Sequence, residues 1–134
     1  MPRVDKTHSA VGVTRAILNA TITSGSWNTV LGMGINSSGK AVVGAGTTGI
    51  IGVAIFDRTN CKAGAQCDIF SLAEIDMGAT ALTAGRAYWL DGTTGALAVG
   101  ASGTGAQPGS GSGFSAGSAR CGYAIETDRL KVSM

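Results

Sequence analysis

The stretch Gly49–Asn60, GIIGVAIFDRTN, decides the fold. Gly52-Val53-Ala54-Ile55 alternates small and β-branched residues, and Asp57-Arg58-Thr59-Asn60 closes the run with turn chemistry. Directly upstream, VVGAGTTG holds Gly44, Gly46 and Gly49, which spell a literal G-x-G-x-x-G. A dinucleotide site needs a helix immediately after those glycines, because the helix N-terminus holds the pyrophosphate. Here a β-branched run follows instead, so the glycines read as a hairpin turn and the run as a strand. The phrase then returns near the end as RCGYAIETDRLKV, residues 120–132, with Gly122-Tyr123-Ala124-Ile125 and Asp128-Arg129 echoing Gly52–Ile55 and Asp57-Arg58. Two equivalent edges or corners of one barrel would explain the echo, each needing glycine where backbones approach closely. A duplicated half-barrel would explain it too.

Outward from that phrase the same rhythm of short apolar runs and Gly/Asn/Ser/Asp punctuation predicts strands near 11–18, 28–35, 40–43, 49–56, 66–72, 74–78, 86–91, 96–99, 120–126 and 129–133. YWLDGTTGALAV sets Asp91-Gly92 and Gly95 between apolar flanks and predicts a hairpin with a short loop. AIETDRLKV turns at Thr127-Asp128 and puts Leu130 and Val132 on one face, with Arg129 and Lys131 on the other. Helix is least excluded at 14–20 and 71–78, yet neither segment sustains a 3.6-residue stripe. The chain therefore reads as all-β.

The 134 residues fit one domain, large enough to bury roughly two thirds of its unfolded surface. Residues 1–10 are polar and read as an extended arm, and 11–134 as a single β domain. Within it, 100–119 (GASGTGAQPGSGSGFSAGSA, counted through Ala119) is a flexible Gly/Ser-rich loop. With 22 Gly and only 5% aromatic residues, a lone core is weak, and partner subunits are expected to supply stability.

Ten basic and eight acidic residues are spread without blocks, which argues against a nucleic-acid-tracking surface. No run is long and apolar enough for a membrane span, and the start MPRVDKTHSAVGV lacks a signal-peptide apolar region. Cys61, Cys67 and Cys121 are accordingly expected as free thiols, although Cys61 and Cys67 could meet across CKAGAQC.

Catalytic chemistry finds little support. The single histidine, His8, lies in the arm, a poor place to hold a general base, and no residue is suggested to orient it against a cysteine. C-x5-C with a distant Cys and His lacks structural-zinc spacing. Glu74 and Asp76 share a strand face, read as a solvated face rather than an acid–base or calcium pair. Asp57 and Asp128 read as turn formers. No enzyme, metal or cofactor is expected. Trp27, Trp89 and Phe114 are the candidate interface aromatics; because Tyr88 and Trp89 point to opposite faces, one should enter the core and the other remain available.

In their order, GTTGIIGVAIFD, KAGAQCDIFSLAEI, LTAGRAYWLDGTTGALAV and RCGYAIETDRLKV resemble the capsid decoration (cement) proteins of tailed bacteriophages. The opening MPRVDKTHSAVGVTRAIL is similar to the actinobacteriophage branch. The likeness spans the arm through residue 99 and 120 to the end; the 100–119 loop departs from it. It implies a small antiparallel β-barrel or β-tulip-like domain with an N-terminal arm, trimeric, on the capsid exterior after a passage through the host cytoplasm. The trimer would sit at three-fold and quasi-three-fold positions, bridging major capsid proteins, with no direct nucleic-acid or membrane contact. Pro2, Arg3, Val4 and Lys6 would then carry capsid or neighbour-subunit contacts by strand addition and charge. Two other classes stay open on the residues: a virion-surface carbohydrate-binding or adhesive β-sandwich, and a small β-barrel enzyme built on His8 and the scattered acids.

Overall fold

A computed structural model describes residues 9–78, 82–100, 103 and 117–134. Its strands are β1 (Ser9–Ile17), β2 (Val30–Ile35), β3 (Ala41–Val43), β4 (Gly52–Ile55), β5 (Gln66–Asp76), β6 (Ala87–Leu90), β7 (Leu97–Val99), β8 (Ala119–Ala124) and β9 (Arg129–Ser133). Among the described residues the one helical element is a 3-10 turn at Ser24–Ser26. The expected all-β class holds, and 14–17 and 71–76, where helix was least excluded, are strand. The separate strands expected at 66–72 and 74–78 are one continuous β5.

All nine strands belong to a single antiparallel sheet of order β3-β2-β4-β5-β9-β8-β6-β7, with β1 laid on β5. The sheet curls until its far end returns to its beginning. A bridge joins Leu31 of β2 to Ala96, just before β7, and Gly32 N–H donates to the Gly95 carbonyl at 2.8 Å. The result is a small barrel, not the two packed sheets a sandwich requires.

Two apolar clusters lie on opposite sides of the sheet. Inside the barrel, Val30, Val53, Ile55, Ile75, Tyr88, Leu90, Cys121, Leu130 and Val132 pack together. Outside, over β2 to β5, Leu18, Ile22, Leu31, Met33, Ala54, Phe56, Cys61, Cys67 and Ile69 form a second core beneath the segment that follows β1. Strand β4 lies between the two and is buried along its whole length, which is why its sequence reads as an unbroken apolar run. Strand β5 changes allegiance midway. Cys67 and Ile69 face the outer core, whereas Ala73 and Ile75 face the barrel. The changeover falls at Ser71, where β5 passes from β4 to β9 as its neighbour. There Gly12 of β1 adopts φ 69° and the Ser71 hydroxyl donates to the Gly12 carbonyl at 2.9 Å.

The chain is built as two halves of the same topology. In each, a hairpin opens (β2–β3, β6–β7), the next strand pairs with the hairpin's first strand (β4 on β2, β8 on β6), and the last pairs with that one (β5 on β4, β9 on β8). Even the hairpin loops correspond: Asn36 Oδ1 accepts from the backbone N–H of Ser38 and Lys40, and Asp91 Oδ1 from those of Thr93 and Thr94. The echoed phrase occupies equivalent strands, β4 and β8. Neither is an edge of the sheet, so the edge half of the expectation fails. Glycine is needed in both because a Cβ would press on the next strand: at Gly52 on the Phe70 carbonyl oxygen at 2.5 Å, and at Gly122 on the Lys131 carbonyl oxygen.

The two copies nevertheless face opposite ways. Val53 and Ile55 point into the barrel and Ala54 out; Ala124 points in, while Tyr123 and Ile125 are exposed. Such inversion is what a one-residue slip of the pleat produces. Space accounts for it: β6 and β9 already send Tyr88, Leu90, Leu130 and Val132 inward, so β8 can contribute only small side chains.

Candidate interaction surface

Among the described residues strand β1 pairs with β5 alone, so its other edge offers backbone groups without a strand partner there. The side chains add to the invitation: Val13 and Ile17 are 46% and 44% exposed. The charged residue described on β1, Arg15, is engaged within the chain, its Nε donating to Asp68 Oδ1 at 2.8 Å. That hydrogen bond, then the Asp68 charge, holds the guanidinium above its usual range, but at a wet surface it adds little stability. Long open edges with β-branched side chains and no blocking charge are aggregation-prone unless a partner covers them.

A second surface, covered by no described residue, lies on the outside of β5, β9, β8 and β6. The register sets Tyr123 beside Lys131, Lys131 beside Glu74, and Trp89 beside Arg120. Leu72, Tyr123 and Ile125 are 37%, 45% and 38% exposed. Arg129 is held by Glu126 at 2.7 Å and Glu74 at 3.3 Å. Glu74 is thus a half-exposed ion-pair member on the outer face, as the solvated-face reading expects. Arg120 and Lys131, by contrast, have no hydrogen-bond or ion-pair partner among the described residues.

The expected site residues fall as follows. Tyr88 enters the barrel, its hydroxyl accepting from the Thr83 N–H at 2.8 Å, and Trp89 lies half-buried on the outer face, so the pair points to opposite faces as expected. Trp27 is half-buried against the outer core, with its indole N–H donating to the Ile22 carbonyl at 3.0 Å. Pro2, Arg3, Val4, Lys6, His8 and Phe114 lie outside the described residues. Asp57 closes its turn by accepting from Thr59, and the Asp128 carbonyl accepts from the Met77 N–H. No group of three His, Cys, Asp or Glu among the described residues is placed to hold a metal, and no helix is long and apolar enough to cross a membrane. Sequence reasoning missed Val13, Ile17, Leu72, Arg120, Tyr123 and Ile125. Their only signal was alternation, which cannot say which face of a strand is wet.

All three cysteines are buried free thiols. Burial pushes Cys121 up to about 12, and burial followed by the Asp68 charge pushes Cys67 up to about 11. These raised values favour the protonated thiol in the folded state. The unfolded chain therefore loses protons first, and stability falls as pH climbs above about 9. At pH 8 a disulfide reagent should label Cys67 and Cys121 only after denaturant is added, and the thermal midpoint should drop between pH 9 and 11. Rapid labelling of either thiol in the native protein would contradict this.

No protein-family model matches the chain, and no curated protein matches it. Among solved structures, a chain from Mycobacterium phage Patience is similar in fold, with a TM-score of 0.62 at 23% identity. The match covers 98% of this chain and 95% of that one, so the likeness is of the whole fold.

Proposed function

We propose that this protein is a structural component of a phage virion that binds the outer surface of the capsid. In this reading it sits as a trimer at three-fold and quasi-three-fold positions, bridges neighbouring major capsid proteins and stabilises the shell. It catalyses nothing and binds neither nucleic acid, membrane nor cofactor. The observation that carries the reading is the end-to-end fold likeness to a phage chain, in company with the sequence resemblance to decoration proteins.

Strand β1 supports it physically. Among the described residues, its edge away from β5 has no strand partner, which leaves backbone donors and acceptors for a neighbouring sheet. In this reading Pro2, Arg3, Val4 and Lys6, which lie outside the described residues, carry contacts to a neighbour's sheet edge or a charged capsid surface. Repetition over an icosahedral lattice turns modest single contacts into firm attachment.

Deleting residues 1–8 should leave the barrel folded and reduce co-sedimentation with undecorated shells by about tenfold or more, the scale at which interface anchors act. A truncated protein that decorates shells as fully as the intact chain would contradict the role given to the arm.

A further inference from the structure

We infer that the outer face of β6, β8 and β9 is a second docking surface, and that it takes an acidic protein surface through Trp89, Arg120, Tyr123 and Lys131. This rests on the capsid reading and places the shell protein's carboxylates as the partner. The comparison of the two halves is the starting point. In the first half the outside of the sheet is sealed by the chain itself, with Leu18, Ile22 and Phe56 over Leu31, Met33 and Ala54. On the equivalent outside of the second half, Tyr123 and Ile125 are 45% and 38% exposed, and no described residue covers them.

The face is also inverted. Strand β8 turns small Cys121 and Ala124 inward and its one large aromatic side chain, Tyr123, outward. Exposing Tyr123 on the strand and Ile125 just past its end is unfavourable in a free monomer and is relieved when a partner buries them.

Charge selects the partner. The carboxylates of this face are already committed, Glu74 and Glu126 both to Arg129. On β6, β8 and β9 themselves the charges without an ion-pair partner among the described residues are both positive: Arg120 stands beside Trp89 and Lys131 beside Tyr123. Cations flanking aromatic rings suit a surface that presents carboxylates near apolar groups, and Trp, Tyr and Arg are the side chains that dominate interface energetics. Opposite charge across the contact also makes association dependent on salt.

The test uses full-length protein and shells of the parent phage stripped of it. Wild type, Tyr123→Ala and the double variant Arg120→Glu/Lys131→Glu are titrated onto shells at low and at high salt, with folding checked by circular dichroism. Tyr123 and Arg120 are exposed and Lys131 is half-exposed, so the variants should fold and bind about tenfold or more weakly than wild type, and the double variant should lose most of the salt dependence. If wild type leaves the shells bare, the capsid reading falls and takes this inference with it. If wild type decorates and both variants decorate equally well, this inference alone is overturned. It is overturned as well if the variants differ from wild type only in oligomeric mass by light scattering, which gives the face to a second copy. Wild-type binding to a short DNA duplex that the double variant loses would overturn it by making the cations a phosphate site.

Discussion

Gly122→Ala should destabilise the protein by about 3 kcal/mol or more, the upper range for forcing an extra carbon into a packed interior. The added Cβ would meet the Lys131 carbonyl oxygen, with Lys131 C at 3.0 Å and Ser133 N at 3.2 Å. Every one of these atoms is backbone of β9, so no side chain can swing aside. Relief requires β8 to move off β9, which breaks the ladder from Gly122–Val132 to Ala124–Leu130 at the centre of the second half. Gly25→Ala is the matched control, because nothing lies within 4 Å of a Cβ there. Equilibrium denaturation should show a large loss for the first and almost none for the second. Equal midpoints for Gly122→Ala and wild type would mean that the β8–β9 contact is not as described.

Phe56→Ala tests the outer core in the same way, with an expected loss of about 3–5 kcal/mol. Phe56 is 1% exposed and heads the fully buried side chains by size. Its backbone is pinned on both sides. The Asn28 N–H donates to its carbonyl at 2.9 Å, and Asn60 Nδ2 donates to the Ile55 carbonyl at 3.0 Å while Asn60 Oδ1 receives the Asp57 N–H at 2.8 Å. A site held that firmly cannot collapse to fill the void, so the cavity cost is paid in full. The loss should match that of a barrel-interior truncation such as Leu130→Ala. A change below about 1 kcal/mol would reduce the outer cluster to a surface patch.

These two positions also mark what the sequence made legible. The strand at 52–55, the Asp91 hairpin and the Leu130/Val132 face were readable because turn chemistry and period-2 alternation are local properties. The need for glycine at 52 and 122 was readable from the echoed phrase, which places a glycine at the same point of two strand-like runs. Which side of each strand faces the barrel was not. Phe56 and Ala54 belong to a second core that exists only because the segment after Leu18 folds over β2 and β4, a contact between distant parts of the chain. Tyr123 illustrates the converse: alternation alone would send it inward, and the prior claim of Tyr88, Leu90 and Leu130 on the barrel interior sends it out. The merging of 66–72 with 74–78 into β5 hid behind Ser71 and Leu72, where the strand turns its inward face over without leaving the sheet.

Among the described residues the fold offers two surfaces to a partner: an open strand edge on β1 and an uncovered face on β6, β8 and β9. The central claim is that those surfaces fasten a shell. Electron cryo-microscopy of stripped capsids, reconstructed with and without added protein, addresses it most directly. The account predicts new density of three barrels at three-fold and quasi-three-fold positions, each touching neighbouring capsid subunits. Shells that gain no density at saturating protein would contradict it.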